Sequence, residues 1–162
     1  MSELSPATLW FRLDPDTRLL AARSFFRHKW DDPNARREGE IALAQALRFR
    51  EEAVRKLPVD KRAGYLATAV RPGDSLAGSL LLALHVENRR PMLTAFLDAL
   101  GIPHADGLID AGQEPAPPSA DALSAAADAL RTQFPPAEVE VYLATLYAID
   151  PETWAGLKDQ VG

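Results

Sequence analysis

The chain has 162 residues, enough for one domain with its own hydrophobic core. Apolar residues make up 47% and charged residues 25%, which excludes global disorder, and the lack of cysteine excludes disulfides, thiolate zinc sites and cysteine nucleophiles. The formal net charge is −5, and the acidic excess lies after residue 90.

The apolar composition favours helix over strand. The chain has 28 Ala and 23 Leu but only 7 Val and 4 Ile, and the β-branched residues are the ones enriched in strands. We therefore expect an all-α fold of six to eight helices. Arg outnumbers Lys 14 to 4, which is typical of a GC-rich genome, so we also expect a bacterial source.

Acid–proline pairs mark helix starts along the chain. In Asp14-Pro15, Asp32-Pro33 and Asp150-Pro151 the carboxylate can accept a free backbone N–H, and proline at the first helical position loses no hydrogen bond. A short helix is predicted at 6–13 and a closing helix at 151–160. The remaining signals outline helices at 15–30, 33–57, 60–70, 75–87, 91–100, 119–134 and 137–149.

The segment 75–87 is apolar on nearly every side, which indicates a buried helix at the centre of the fold. The segment 137–149 is ambiguous, because residues 138–143 alternate like a strand while Val139, Leu143 and Leu146 also share a helical face. We predict helix there, since a single strand would have no partner.

Gly101-Ile102-Pro103 predicts a helix stop, with Gly101 in a left-handed cap. A loop or linker rich in Pro and Gly follows at 101–118. We expect one helical domain, 1–162, with a main core at 1–100. The acidic C-terminal helices at 119–162 are expected to pack on that core, because about 44 residues are too few for an independent one.

Two histidines lie in predicted helices. His85 is the only strongly polar group in the apolar segment 75–87, so it is either a core histidine held by one hydrogen bond or a ligand or base in a pocket. His28 lies between Arg27 and Lys29 and is predicted to be a solvated surface residue.

A third histidine lies in the glycine-containing loop. His104, Asp106 and Asp110 could form a metal site, since imidazole and carboxylates are metal ligands, but their spacing does not fit a calcium-binding loop. His104 and Asp106 could also form a catalytic pair, although no nucleophile is indicated. The other interpretation is a capped polar surface loop. No cofactor is predicted.

Charge divides the chain in two. Residues 1–90 contain 16 Lys or Arg and 12 Asp or Glu, whereas residues 91–162 contain 2 and 11. We therefore expect the acidic C-terminal segment to lie near the basic flank of the second and third predicted helices, within one chain or between two. The arginines of that flank are Arg23, Arg27, Arg36, Arg37, Arg48 and Arg55.

No catalytic or phosphate-binding motif occurs, so nothing in the sequence supports an enzyme directly. The leading hypothesis is a non-catalytic helical module that binds a protein partner or a second copy of itself. The second is a small-molecule or metal-dependent enzyme using His85 or the His104 loop. Nucleic-acid binding by the basic half comes third, because acidic residues are interleaved through that half. We expect no membrane span and a cytoplasmic location.

Overall fold

The computed structural model describes residues 4–110, 112 and 115–161 and is all-α, as predicted. Helix accounts for 73% of the described residues, and no strand occurs among them. The α-helices are α1 (Pro6–Arg12), α2 (Pro15–Arg27), α3 (Pro33–Leu47), α4 (Glu51–Lys56), α5 (Val59–Ala69), α6 (Asp74–Asn88), α7 (Arg90–Leu100), α8 (Ala120–Gln133), α9 (Pro136–Ile149) and α10 (Lys158–Val161). No helix in this part of the chain is both long and apolar enough to cross a membrane.

The chain divides into two compact units. The N-terminal unit is Pro6–Glu87, and the C-terminal unit contains the described residues from Asn88 onward together with Leu4 and Ser5. In the N-terminal unit α5 packs against α2 and α3, and α3 contacts α4. In the C-terminal unit α8 packs against α7 and α9. The predicted packing of 119–162 against a core at 1–100 stays a prediction.

The predicted helix caps form. Asp14 accepts the Thr17 N–H at 2.7 Å, and Asp32 accepts the Asn34 N–H at 2.9 Å. Gly101 ends α7 in the left-handed conformation at φ 68°, as its position predicted. These boundaries depend on residues a few positions apart, which explains why the sequence located them.

The predicted helix 33–57 is wrong as a single element. Arg48 takes a left-handed conformation (φ 57°, ψ 39°) and ends α3, and α4 begins three residues later. Tertiary packing therefore overrides the local preference, since Arg rarely adopts a positive φ. The break reverses the chain, so that Arg55 of α4 reaches Glu40 of α3.

The predicted closing helix 151–160 is also wrong. Asp150 accepts the Thr153 N–H at 3.2 Å, but the chain then forms turns, a 3₁₀-helix at Ala155–Leu157 and the short α10. Gly156 lies so close to α8 that a Cβ there would be 2.7 Å from Leu123 Cδ1. The 3₁₀-helix therefore lies in close contact with α8 at Gly156.

Buried helices form the core of each unit. In α6, Leu76, Leu80, Leu81 and Leu84 are buried, as expected for the apolar segment, although Leu82 is 41% exposed. The ambiguous segment 137–149 is helical, as predicted, and Tyr142 of α9 packs edge-on against Phe96 of α7 at 5.5 Å. The described residues between α7 and α8 form the predicted long loop, with one β-bridge between Ala105 and Leu108.

Candidate functional site

A cleft of about 480 Å³ opens in the N-terminal unit between the end of α2 and the start of α3. We call it the basic cleft; Arg27, His28, Lys29, Trp30, Pro33, Arg36 and Glu40 line it. The chain leaves α2 in an extended conformation at His28, and Asp32 and Pro33 then start α3. The cap at Asp32 thus fixes the direction of α3 and places Arg36 and Glu40, one helical turn apart, beside the cleft.

The indole ring of Trp30 lines the basic cleft and is held in place by contacts with Phe25. Its indole Nε1–H donates to the Phe25 carbonyl at 2.9 Å, and its ring packs 5.3 Å from the Phe25 ring. Phe25 is fully buried, so both contacts hold the indole against the core. A ring held in this way can contact a ligand with little further loss of side-chain entropy.

His28 is less exposed than the sequence indicated. Only 20% of its side chain is exposed, its Nδ1 lies 2.6 Å from Glu87 Oε1, and its ring packs edge-on against Trp30 at 4.5 Å. The prediction of a solvated surface residue is therefore corrected. The carboxylate that holds the ring comes from α6, 59 residues away, and no local pattern indicates it.

Glu40 is the carboxylate of the basic cleft. Its side chain is 9% exposed, and Oε2 accepts from Arg55 Nε at 3.0 Å. Arg55 also donates to Glu51 at 3.1 Å. The negative charge of Glu40 is therefore already compensated by an arginine, which allows this carboxylate to remain buried.

Arg62 of α5 adds a buried cation next to this group. The residue is 8% exposed, and its guanidinium lies over the Phe26 ring, 5.1 Å from the centroid. Burial lowers the pKa of Arg62, nearby Arg36 lowers it further, and Glu40 partly offsets both effects. Arg36 and Glu40, which both line the basic cleft, therefore shift the pKa of Arg62 in opposite directions.

The residues that the sequence singled out belong to different units. His85 is buried in α6 at 2% exposure and is not among the residues that line the basic cleft. His104 belongs to the C-terminal unit, where its Nε2 lies 2.7 Å from Asp98 Oδ1 and its Nδ1 accepts the Gly107 N–H at 2.9 Å. The sequence reasoning missed Asp98 as the partner, although it lies only six residues before His104, across the helix stop.

Asp106 and Asp110 are not part of that contact. Asp106 has a positive φ of 52°, and its carbonyl accepts from Arg90 at 3.4 Å. Among the residues described, no group of three His, Asp or Glu side chains is arranged to hold a metal ion. Through its contacts with Asp98 and Gly107, His104 connects the turn at 104–108 to α7.

The sequence reasoning also missed the basic cleft itself. Of its lining residues, the sequence identified His28 as a surface residue and Arg27 and Arg36 as part of a charged flank. A basic run that includes a tryptophan, Arg27 to Trp30, was the available signal. The sequence matches no family model, and neither a curated protein nor a solved structure matches it.

Proposed function

We propose that this protein is a non-catalytic helical binding module, and that its basic cleft binds an acidic segment of a protein partner. The proposal rests on one observation, that two cations in the basic cleft have no ion-pair partner among the described residues. Lys29 and Arg36 line the basic cleft beside Trp30 and make no ion pair with any residue that the structure describes. Carboxylates of a partner would supply the missing counter-charges.

The kinds of side chain in the basic cleft support a protein partner. Trp and Arg are enriched among the residues that contribute most to protein–protein affinity, because a large ring or a planar guanidinium buries area and hydrogen-bonds together. Arg36 is half-buried and rises from an α-helix rather than a loop, so its position is well defined. Complementary charge would also speed association at low ionic strength.

The chemistry of the lining favours binding over catalysis. His28 resembles a general base, since a carboxylate orients its ring, but the lining residues include no hydroxyl or thiol nucleophile for it to activate. Glu40 is held by Arg55 and does not resemble a free general acid or base. The cationic groups and the fixed indole remain as the main recognition elements.

A titration with a labelled acidic peptide tests the proposal. The probe is a fluorescein-labelled peptide of alternating Glu and Gly, followed by fluorescence anisotropy at low and at physiological salt. We expect saturable binding that weakens as salt is added, because exposed charges are screened within about 8 Å at 0.15 M. Arg36→Gln should weaken binding by roughly tenfold, the loss expected for one charge-assisted contact.

Arg71→Gln is the matched control. Arg71 is exposed and makes no ion pair with a described residue, and its replacement by Gln changes the net charge by the same amount as Arg36→Gln. Equal losses from Arg36→Gln and Arg71→Gln would mean that only overall charge matters, and would overturn the proposal. Tryptophan emission gives a second readout, since Trp10 and Trp154 are buried at 1% and 4% exposure and Trp30 is not. A peptide-induced change in emission should disappear in Trp30→Phe.

A further inference from the structure

The carboxylates around the basic cleft are already shared among several cations. Asp60 contacts both Arg23 (3.2 Å) and Arg27 (3.6 Å). Glu51 contacts both Arg37 (3.8 Å) and Arg55 (3.1 Å), and Arg55 is also the partner of Glu40. Each of these three carboxylates thus has at least one arginine partner.

Around the basic cleft, Lys29, Arg36 and Arg62 make no ion pair with a described residue. Arg62 is more than nine-tenths buried, and its Nε has no hydrogen-bond partner among the described residues. A buried guanidinium is costly unless it is paired, and Arg36 adds a like charge beside it. The residues that line the basic cleft thus include three Lys or Arg side chains, Arg27, Lys29 and Arg36, and one carboxylate, Glu40.

We propose that the group filling the basic cleft is a phosphate monoester, carried as a phosphorylated side chain on the acidic segment of the partner. This inference rests on the proposed function. A phosphate monoester carries a charge of roughly −1.5 to −2 at pH 7 and has three acceptor oxygens, whereas a carboxylate carries one charge and two oxygens. The dianion therefore matches an excess of several cations better than Glu or Asp does.

The cations differ in whether they line the basic cleft. Arg36 and Lys29 line the basic cleft and are the residues that contact the phosphate, with the guanidinium fork suited to two of its oxygens. Arg62 does not line the cleft and acts through its charge, near Arg36 and Glu40. Glu40 would repel the phosphate but is held by Arg55 on its Oε2 side.

Three synthetic peptides test the inference on the full chain. They share a flanking sequence of alternating Glu and Gly and differ only at one central position, which is serine, glutamate or phosphoserine. We expect the phosphoserine peptide to bind at least about tenfold more tightly than the glutamate peptide. Arg36→Gln and Lys29→Gln should each reduce that ratio several-fold, whereas Arg71→Gln should preserve it.

Two competitors identify the source of the phosphate. Inorganic phosphate should displace the phosphoserine peptide only at much higher concentration, because it lacks the acidic flanks. If it competes as well as the peptide itself, the site is one for free phosphate and the inference is wrong. If a single-stranded oligonucleotide binds as tightly as the phosphopeptide and depends equally on Arg36, the partner is nucleic acid and the inference is again wrong.

The peptide series also separates this inference from the proposed function. Equal affinity for the glutamate and phosphoserine peptides, with both dependent on Arg36, would overturn the phosphate assignment and leave the acidic-segment proposal standing. Failure of all three peptides to bind would overturn both. Circular dichroism of each variant shows whether a loss of binding reflects a loss of fold, and a variant that unfolds is replaced by Arg36→Lys, which keeps the charge and removes the fork.

Discussion

Arg55 Nε lies 3.0 Å from Glu40 Oε2, although the two residues are 15 positions apart in a segment that is helical on both sides. A continuous helix would separate them by about 22 Å along its axis. The contact exists only because Arg48 turns the chain between α3 and α4. The break between α3 and α4 therefore brings Arg55 to Glu40, the buried carboxylate of the basic cleft.

Glu40→Ala should destabilise the fold because it removes one of the two carboxylates that Arg55 contacts and a negative charge that stabilises the buried Arg62 cation. We expect a loss of about 1–3 kcal/mol in the free energy of unfolding, less than for a fully buried pair because Arg55 is half exposed. Urea denaturation measures it. Glu52→Ala, at an exposed position of α4, should change stability by less than about 0.5 kcal/mol. Equal effects of the two variants would show that Glu40 has no special role.

Arg48→Gly should stabilise the protein. Arg48 has φ 57°, and its N–H and that of Phe49 both donate to the Ala44 carbonyl, as in helix ends that normally use glycine. Glycine adopts this conformation without the strain of a side chain, so we expect a gain of roughly 0.5–1 kcal/mol in urea denaturation. Arg71→Gly is the control, because Arg71 lies outside the helices and does not have a positive φ, so glycine there should not stabilise. A loss of stability in Arg48→Gly would contradict the assignment of strain.

Gly39→Ala and Gly64→Ala should have opposite effects although both lie within helices. A Cβ at Gly39 would be 2.8 Å from Phe25 Cζ, and the fully buried Phe25 ring has little room to move. We expect a loss of about 1–3 kcal/mol from overpacking. A Cβ at Gly64 meets nothing within 4 Å, so the higher helix propensity of alanine should stabilise by up to about 1 kcal/mol. Thermal or urea unfolding of the pair tests this, and the same sign for both would be evidence against it.

Burial raises the pKa of Tyr142 above its ordinary value of about 10, so the folded state favours the neutral phenol. The associated stability is complete below about pH 10 and is lost as the pH rises from there toward the folded-state pKa. Tyr142→Phe should therefore lose stability less steeply than the wild type in urea denaturation between pH 9 and 11. Tyr65→Phe, at an exposed position, should follow the wild-type slope. Parallel slopes for all three proteins would refute the prediction.

His104 is expected to hold the turn at 104–108 through its two ring nitrogens. Because Nδ1 accepts the Gly107 N–H, the proton of the neutral ring lies on Nε2 and is donated to Asp98. His104→Ala should increase amide exchange at Gly107 by on the order of tenfold, measured by NMR, while Asp110→Asn should not. A stoichiometric micromolar site for calcium, manganese or zinc in calorimetry, lost in Asp106→Asn, would contradict this role and favour the metal hypothesis.

Local chemistry determined much of the fold. The Ala- and Leu-rich composition predicted the helical class, the aspartate–proline pairs predicted the starts of α2 and α3, and Gly101 predicted the end of α7. Each of these features depends on side-chain entropy or on hydrogen bonds between residues fewer than six positions apart. A single sequence carries that information directly, and the structure confirms it.

The basic cleft was decided by tertiary structure. His28 and Glu87 are 59 residues apart, Glu40 and Arg55 belong to different helices, and Arg62 lies over Phe26 from another helix. Sequence periodicity identifies which residues share a face of one helix, but it does not show which faces meet. Which carboxylate lies near a given cation depends on that packing. The lack of an ion pair at Lys29 and Arg36 is therefore a property of how α2, α3 and α5 pack together and cannot be read from the sequence.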